Sequence, residues 1–144
     1  MSRKENNVLD RALLQDLIQG CPFHRFLGIE LEEYSTDAGT ITLSVTARDT
    51  FSRSNSHVEL HGGVIAALID IAGDYAVALR VGQGVPTINL RTDFLRLARG
   101  KKATATARLV RCGRSIAVVD IDVVDETGQL VAVGRGTYSS ATHT

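Results

Sequence analysis

The chain has 144 residues, a length that accommodates one domain. Hydrophobic residues make up 44% of it and charged residues 22%, proportions typical of a globular protein with a core. Because 16 Lys and Arg balance 16 Asp and Glu, the composition argues against a protein that coats nucleic acid. No uncharged apolar run is long enough to span a membrane, and the first seven residues are too polar for a secretory leader, so we expect no membrane contact and a cytoplasmic location. Cys21 and Cys112 are expected to be free thiols, buried or half-buried.

The first half of the chain predicts a helix, a hairpin and a second helix. Residues 8–19 place aliphatic side chains at helical spacing, and Gly20 and Pro22 end that helix. Residues 27–33 and 40–47 have strand character, with Gly39 in the turn between them. The polar residues 48–59 predict a long loop, and long loops in compact domains often have a function. Residues 62–80 are apolar almost all the way round, which is typical of a helix that the rest of the domain encloses.

After Pro86 the hydrophobic pattern has period two, which predicts four strands. Their ranges are 88–94, 103–110, 116–124 and 130–138, and short segments of turn chemistry separate them, so we expect one antiparallel meander. A single buried helix needs a sheet curled around it for cover. The predicted fold class is therefore α+β: a curved antiparallel sheet wrapped around one long central helix, known as the hotdog fold, with a short N-terminal helix. One such domain covers residues 1–144, with its core at about 22–138.

The segment that carries chemistry runs from Asn55 to Gly63 and leads directly into the central helix. The first backbone N–H groups of a helix lack intrahelical acceptors, and the helix dipole adds partial positive charge there. Glycine allows a ligand atom to approach that backbone closely. Gly62 and Gly63 are therefore a candidate oxyanion hole for a carbonyl oxygen that gains negative charge. From the residues alone, a tight turn between loop and helix is the alternative explanation of this pair.

Asp70 lies between two isoleucines of this apolar helix. An unpaired buried carboxylate costs on the order of several kcal/mol, so Asp70 indicates either a hydrogen-bonded structural role or chemistry. Burial also raises the pKa of a carboxyl group toward the range useful in acid–base catalysis. Asp74 follows four residues later on the same face. It is interpreted as a residue that supports Asp70 or lines a pocket, or as one that faces solvent near the end of the helix.

These residues resemble a motif of the hotdog thioesterases, in particular the PaaI-like and hydroxybenzoyl-CoA thioesterase group. The resemblance rests on one set of spaced positions: Asn55, His61, Gly62, Gly63, Leu68 and Asp70. Residues 23–29 and 91–97 are similar as well, so the resemblance extends over residues 22–138. The chain departs from the group at Val58 and Glu59, where relatives often have a glycine. That departure affects the expected acyl specificity more than the expected chemistry.

The resemblance implies an enzyme that hydrolyses an acyl-CoA or aroyl-CoA thioester to the free acid and CoA, without a cofactor. The backbone N–H of Gly62 is the implied oxyanion donor, and His61 fixes the loop and assists at the carbonyl. Asp70 is the implied general base, with a nucleophilic role as the alternative. Asn55 orients Asp70 or the attacking water, and Thr87 helps to hold that water. No metal site is predicted, because the four histidines show no ligand spacing.

Gly62 and Asp70 are eight residues apart in the sequence, which is about 12 Å along a helix. One thioester carbonyl cannot touch both residues of the same chain. Two copies of the helix that run antiparallel bring the start of one beside the middle of the other, which predicts a homodimer with two shared sites. The resemblance implies the same arrangement, and a pair of such dimers is the expected larger assembly.

The substrate-binding candidates are residues near this helix and basic residues that suit the CoA phosphates: Gly63, Asp74, Tyr75, Arg96, Arg111 and Arg114. Phe51 is a further candidate for the pocket wall. Two other functions use the same fold. A non-catalytic acyl-CoA-binding regulator normally carries a DNA-binding module, for which the roughly 20 residues before the first predicted strand leave little room. A dehydratase that acts on hydroxyacyl thioesters has a different loop and helix layout, so hydrolysis is the expected activity.

Overall fold

The structure is a computed structural model that describes residues 9–141. Its helices and strands follow in this order: α1 (Arg11–Gly20), α2 (Pro22–Leu27), β1 (Glu30–Ser35), β2 (Thr40–Thr46), α3 (Gly62–Val81), β3 (Thr87–Phe94), β4 (Lys102–Cys112), β5 (Ile116–Asp125) and β6 (Leu130–Ser139). One 3-10 turn, Asp49–Phe51, lies between β2 and α3. Residues 1–7, which are predicted to be too polar for a secretory leader, and His143 lie outside the described residues.

The chain between the first helix and the first strand differs from the prediction. Strand character was expected from residue 27, but residues 22–27 form the short helix α2, and β1 begins only at Glu30. Pro22 favours a helix start because its missing N–H would have no intrahelical acceptor there. Gly28 then ends α2 in the left-handed conformation, with φ of 71°, which few other residues adopt without strain. The predicted start of the strand was therefore wrong by three residues.

The six strands form one antiparallel sheet in the order β1-β2-β4-β5-β6-β3. The predicted four-strand meander is correct for β4, β5 and β6 but wrong for β3, which pairs with β6 at the edge of the sheet. Residues 95–101 do not make a hairpin turn, because they cross the end of the sheet from β3 to β4. Along this crossing, the N–H of Leu95 donates to the carbonyl of Val131 at 2.8 Å. The N–H of Arg99 then donates to the Asp125 carboxylate at 3.1 Å.

The helix α3 lies against the concave face of the sheet, where small residues make room for it. Ala103, Ala105 and Ala107 of β4 are fully buried. Tyr138 of β6 is also fully buried, and its hydroxyl donates to the backbone carbonyl of Asp70 at 3.0 Å. A Cβ atom at Gly73 would lie 2.0 Å from that hydroxyl, so the helix approaches the sheet this closely only with glycine there. This contact fixes the position of α3 along the sheet.

One side of α3 and the edge strand β3 are not covered by the rest of the described chain. On this side of the helix Gly63 is exposed, and Ala66, Ala67 and Asp70 are half-buried. Ile88 and Phe94 of β3 are 56% and 54% exposed, although both are apolar. An apolar surface of this kind, next to an edge strand, is typical of a protein–protein contact.

The cysteines are free thiols, as expected. Cys21 is half-buried between α1 and α2, whereas Cys112 at the end of β4 is exposed, so the prediction of burial was wrong for Cys112. Within residues 9–141, no helix is long and apolar enough to cross a membrane.

Candidate active site

Hydrogen bonds at the base of the loop before α3, residues 52–61, hold His61 at the start of the helix. The Ser52 hydroxyl donates to the carbonyl of His57 at 2.9 Å and accepts from the N–H of Glu59 at 3.1 Å. The N–H of His61 donates to the carbonyl of Phe51 at 2.8 Å, so the two ends of the loop lie next to each other. Asn55 lies exposed in the loop, and its side chain has no hydrogen-bond partner among residues 9–141. It is therefore available to an outside group.

Glu59 contacts the side chains of Arg53 and His57 within this loop. Its two carboxylate oxygens contact Arg53 at 3.0 Å and His57 at 2.6 Å. The hydrogen bonds from His57 and Arg53 lower the pKa of Glu59 below its ordinary value. His57 thus has a structural contact inside the loop.

The start of α3 separates the roles of the two glycines. His61 is the N-cap residue, and its Nδ1 accepts from the N–H of Gly63 at 2.8 Å. The carbonyl of His61 accepts from the N–H of Val64 at 2.9 Å. The N–H of Gly62 has no acceptor among residues 9–141. Gly62 is therefore the donor of the first turn that a ligand can use, and the imidazole of His61 caps the helix through its Nδ1.

A cavity of about 380 Å³ opens beside Gly62. We call it the arginine cavity, and its walls include Arg53, Leu60, Gly62, Phe94, Arg96 and Leu97. The predicted substrate-binding residue Arg96 therefore lies in the same cavity as the predicted oxyanion donor. Arg53 was missed by the sequence analysis, which considered cations only after residue 90. The available signal was the position of Arg53 in the polar loop, six residues before Glu59. The two side chains form an ion pair in the folded loop.

A second cavity, of about 300 Å³, lies on the other side of the helix start. We call it the phenylalanine cavity, and its walls include Phe23, Phe26, Phe51, His61, Gly63 and Ala67. Phe51 was predicted to line a pocket, whereas Phe23 and Phe26 were not. No Lys, Arg, Asp or Glu side chain lines this cavity. The start of α3 is thus flanked by one cavity with two cations and one without formal charge.

Asp70 is half-buried on the uncovered side of α3, two turns after the helix start. The Thr87 hydroxyl donates to Asp70 Oδ1 at 2.6 Å, so the structure brings these two predicted residues together. The second carboxylate oxygen of Asp70 has no partner among residues 9–141. Since α3 is one uninterrupted helix from Gly62 to Val81, Asp70 remains about 12 Å from Gly62 of the same chain.

Asp74, one turn further on, faces the segment before β3 rather than solvent. Its Oδ1 accepts from the N–H of Val85 at 2.7 Å. Burial raises the pKa of Asp74 to about 6, with a smaller contribution from the charge of Asp70, while the hydrogen bond from Val85 opposes the rise. The interpretation of Asp74 as a solvent-facing residue is therefore wrong. Because Thr87 follows Val85 by two residues, Asp74 supports the strand start that carries the Asp70 contact.

Four of the six predicted substrate-binding residues line neither cavity: Asp74, Tyr75, Arg111 and Arg114. Tyr75 is buried, and its hydroxyl donates to the carbonyl of Leu17 at 3.0 Å, so it packs between α3 and α1. Arg111 and Arg114 are exposed near the turn between β4 and β5, whereas the arginine cavity lies at the other end of the sheet. Their roles in substrate binding stay predictions. Among residues 9–141, no group of three or more His, Cys, Asp or Glu side chains could hold a metal ion.

Comparisons with known proteins show which proteins this chain is similar to. Residues 59–132 match the family model described as thioesterase superfamily. The medium/long-chain acyl-CoA thioesterase YigI of Escherichia coli is 32% identical over 135 residues, which cover 81% of this chain and 84% of that protein. The solved structure of the thioesterase HI1161 from Haemophilus influenzae has a TM-score of 0.76 at 31% identity and covers 88% of both chains. The E. coli PaaI protein from the phenylacetic acid degradation operon has a TM-score of 0.78 at 26% identity, covering 90% of this chain and 91% of that one.

The chain therefore belongs to the thioesterase superfamily and has its hotdog fold. It is a thioester hydrolase.

Proposed function

We propose that this protein is an acyl-CoA thioesterase whose active site is shared between two subunits of a homodimer. The observation that carries the proposal is the N–H of Gly62 at the start of α3, which has no acceptor among residues 9–141 and lies about 12 Å along the helix from Asp70, the residue that accepts from the Thr87 hydroxyl. The name of the relative YigI supports an acyl-CoA as the substrate. The arginine cavity supports it as well, because Arg53 and Arg96 suit the phosphates of CoA.

The proposed reaction uses two groups of the protein. The Gly62 N–H donates to the thioester carbonyl oxygen and stabilises the negative charge that develops on it. The carboxylate of Asp70 removes a proton from water, whose oxygen then bonds to the carbonyl carbon. When the tetrahedral intermediate collapses, the carbon–sulfur bond breaks and the sulfur of CoA takes the proton from Asp70, which releases the acid and CoA and restores the carboxylate. The Thr87 hydroxyl occupies one oxygen of Asp70 and leaves the other for the water.

The exposed Asn55 of the loop is the proposed partner of that water, in line with the family resemblance. His61 contributes as the helix cap: its Nδ1 accepts from the N–H of Gly63, whereas the N–H of Gly62 has no acceptor among residues 9–141. Gly63 therefore contributes to the site through its position rather than as a donor.

The uncovered side of the molecule supports the dimer. Gly63, Ala66 and Ala67 are small residues, so a second helix could approach α3 closely there. The edge strand β3 has unpaired backbone groups and exposed apolar side chains, which suit pairing with a second copy. Two helices that run antiparallel on this side would bring Gly62 of one subunit to Asp70 of the other. The expectation of a pair of dimers rests on the resemblance alone.

Mixing two inactive variants tests the shared site. Asp70→Asn removes the base, and Gly62→Pro removes the donor, because proline has no N–H. Proline is favoured at the first position of a helix, and His61 already has the extended φ of −60° and ψ of 139° that suit a residue before proline. Each variant alone should lose about 10²–10³-fold in kcat. After the subunits are mixed and exchanged, one site of each heterodimer has both groups intact, so about one quarter of the wild-type activity should return.

Gly62→Ala is the matched control, because it adds a Cβ atom but keeps the N–H. That Cβ would meet the edge of the Phe94 ring at 3.3 Å, a contact that a side chain half exposed to solvent can relieve. Its kcat should therefore stay well above that of Gly62→Pro. No recovery in a mixture shown to contain heterodimers would mean that each chain works with its own residues, and the shared site would be abandoned.

A further inference from the structure

The loop before α3 contains a hydrogen-bonded group of side chains that the proposed reaction does not use. The Ser54 and Ser56 hydroxyl oxygens are 2.8 Å apart, and Ser56 Oγ lies 2.8 Å from His57 Nδ1. His57 Nε2 contacts one oxygen of Glu59 at 2.6 Å, and the other oxygen of Glu59 contacts Arg53 at 3.0 Å. We call these five side chains the loop network. Because Arg53 and Ser54 are consecutive residues, the network forms a closed ring.

The hydrogen bonds of the loop network run in one direction. Those from His57 and Arg53 lower the pKa of Glu59, so its carboxylate is ionised at neutral pH and only accepts. The neutral imidazole of His57 therefore carries its hydrogen on Nε2, and its Nδ1 accepts from the Ser56 hydroxyl. The Ser56 oxygen is left to accept from the Ser54 hydroxyl. Ser54 in turn accepts from the backbone N–H of Ser56 at 3.2 Å.

Asn55 lies in the middle of this ring without being part of it. Ser54 and Ser56 flank it in the sequence, and the two hydrogen bonds between them close a turn across it. Of the polar residues in 52–59, Asn55 is the one whose side chain has no partner among residues 9–141. The loop network therefore fixes the backbone on both sides of Asn55 and leaves its amide group free.

We propose that the loop network is a positioning device for Asn55, in which Ser56 and His57 hold the Asn55 amide in the orientation that binds the attacking water. The proposal rests on the proposed function, which assigns Asn55 to that water. An exposed residue in an unbraced loop samples many backbone conformations, and selecting one of them has an entropic cost. A network that has already selected one removes this cost from the reaction. We therefore expect its effect in kcat rather than in KM.

Opening the ring at an exposed residue tests the proposal. The His57 side chain is 62% exposed, so His57→Ala can be made without disturbing the core. With decanoyl-CoA as substrate it should lower kcat about tenfold and leave KM within about twofold, because the loop regains backbone freedom. Ser56→Ala should have the same effect, whereas Ser56→Thr keeps the hydroxyl and should retain most of the wild-type kcat. Val58→Ala is the matched control, because Val58 is exposed in the same loop and has no polar side chain, and it should leave kcat unchanged.

A double-mutant cycle determines whether His57 acts through Asn55. Asn55→Ala alone should lower kcat at least as much as His57→Ala does. In the Asn55→Ala background, His57→Ala should cause no further loss, because the residue that it positions is gone. A tenfold loss in that background as well would mean that His57 acts elsewhere, and the proposal would be overturned.

The order of the loop distinguishes this proposal from the proposed function. The backbone ¹⁵N order parameter of Asn55, measured by NMR relaxation on the full chain, should be about 0.85 in the wild type and below about 0.6 in His57→Ala. If it falls in this way while the wild type hydrolyses no acyl-CoA, the positioning of Asn55 is upheld and the proposed function fails. If the wild type hydrolyses decanoyl-CoA but His57→Ala leaves the order parameter unchanged, the proposal is overturned and the proposed function stands.

Discussion

Replacing Asp74 by asparagine should stabilise the folded protein at neutral pH and leave it unchanged in acid. Asparagine has nearly the same shape and keeps a carbonyl oxygen for the N–H of Val85, but it has no charge. In the folded chain, burial raises the pKa of Asp74 from 3.8 to about 6. A rise of this size means that ionising Asp74 costs about 3 kcal/mol more in the folded than in the unfolded state.

The sign of the effect follows from that shift. The folded protein binds this proton more tightly, so the contribution of Asp74 to stability is fully present below pH 3.8 and is lost as pH rises to about 6. Asp74→Asn does not titrate. Its free energy of unfolding, relative to the wild type, should therefore rise between pH 3.8 and 6 by up to about 3 kcal/mol and stay constant at higher pH.

Urea unfolding of both proteins at a series of pH values from 3.5 to 8, at one protein concentration, measures this difference. Asp74→Ala is the matched variant, because it lacks both the charge and the acceptor. It should show the same dependence on pH, displaced by about 1–3 kcal/mol of lower stability at every pH, since the N–H of Val85 loses its acceptor. A difference between Asp74→Asn and the wild type that does not vary with pH would refute the reasoning.

Two further predictions concern the contacts of α3. Gly73→Ala would place a Cβ atom 2.0 Å from the hydroxyl of Tyr138, so it should lower the free energy of unfolding by about 1–3 kcal/mol in urea denaturation. Gly20→Ala is the control, because a Cβ atom there has no neighbour within 4 Å, and it should change the free energy of unfolding by less than about 0.5 kcal/mol. Thr87→Val should lower kcat about tenfold or more, because Asp70 loses its hydrogen bond. Thr87→Ser keeps the hydroxyl and should retain most of the wild-type kcat. Equal losses of kcat in steady-state assays of the two variants would exclude a role for the hydroxyl.

The elements of the fold were readable where a single pattern dominates. The central helix was predicted over residues 62–80 and is observed at Gly62–Val81, because an apolar segment between a glycine pair and Gly82 has one compact solution. The position of β3 in the strand order of the sheet could not be predicted from the sequence. Period two identifies a strand but not its neighbour, and the crossing of residues 95–101 depends on acceptors contributed by β6 and Asp125, far along the chain.

The candidate site shows the same division. The family resemblance implied site roles for Gly62, Asp70 and Thr87, and the structure joins the last two by a hydrogen bond. Which glycine keeps its N–H unpaired depends on the rotamer of His61, which spacing does not reveal. Asp70 and Asp74 share a helix face, so the sequence could not tell that Asp74 accepts a hydrogen bond from the N–H of Val85. That depends on where the segment before β3 lies, a consequence of tertiary packing.

The order of the strands in the sheet also has a consequence for biosynthesis. As the chain leaves the ribosome, β3 emerges well before β6, its only neighbour in the sheet within the described chain. Until about residue 139 has been made, Ile88 and Phe94 sit on a strand with neither edge paired. The nascent protein should therefore be most prone to capture by chaperones, or to association with other nascent chains, during synthesis of its last three strands.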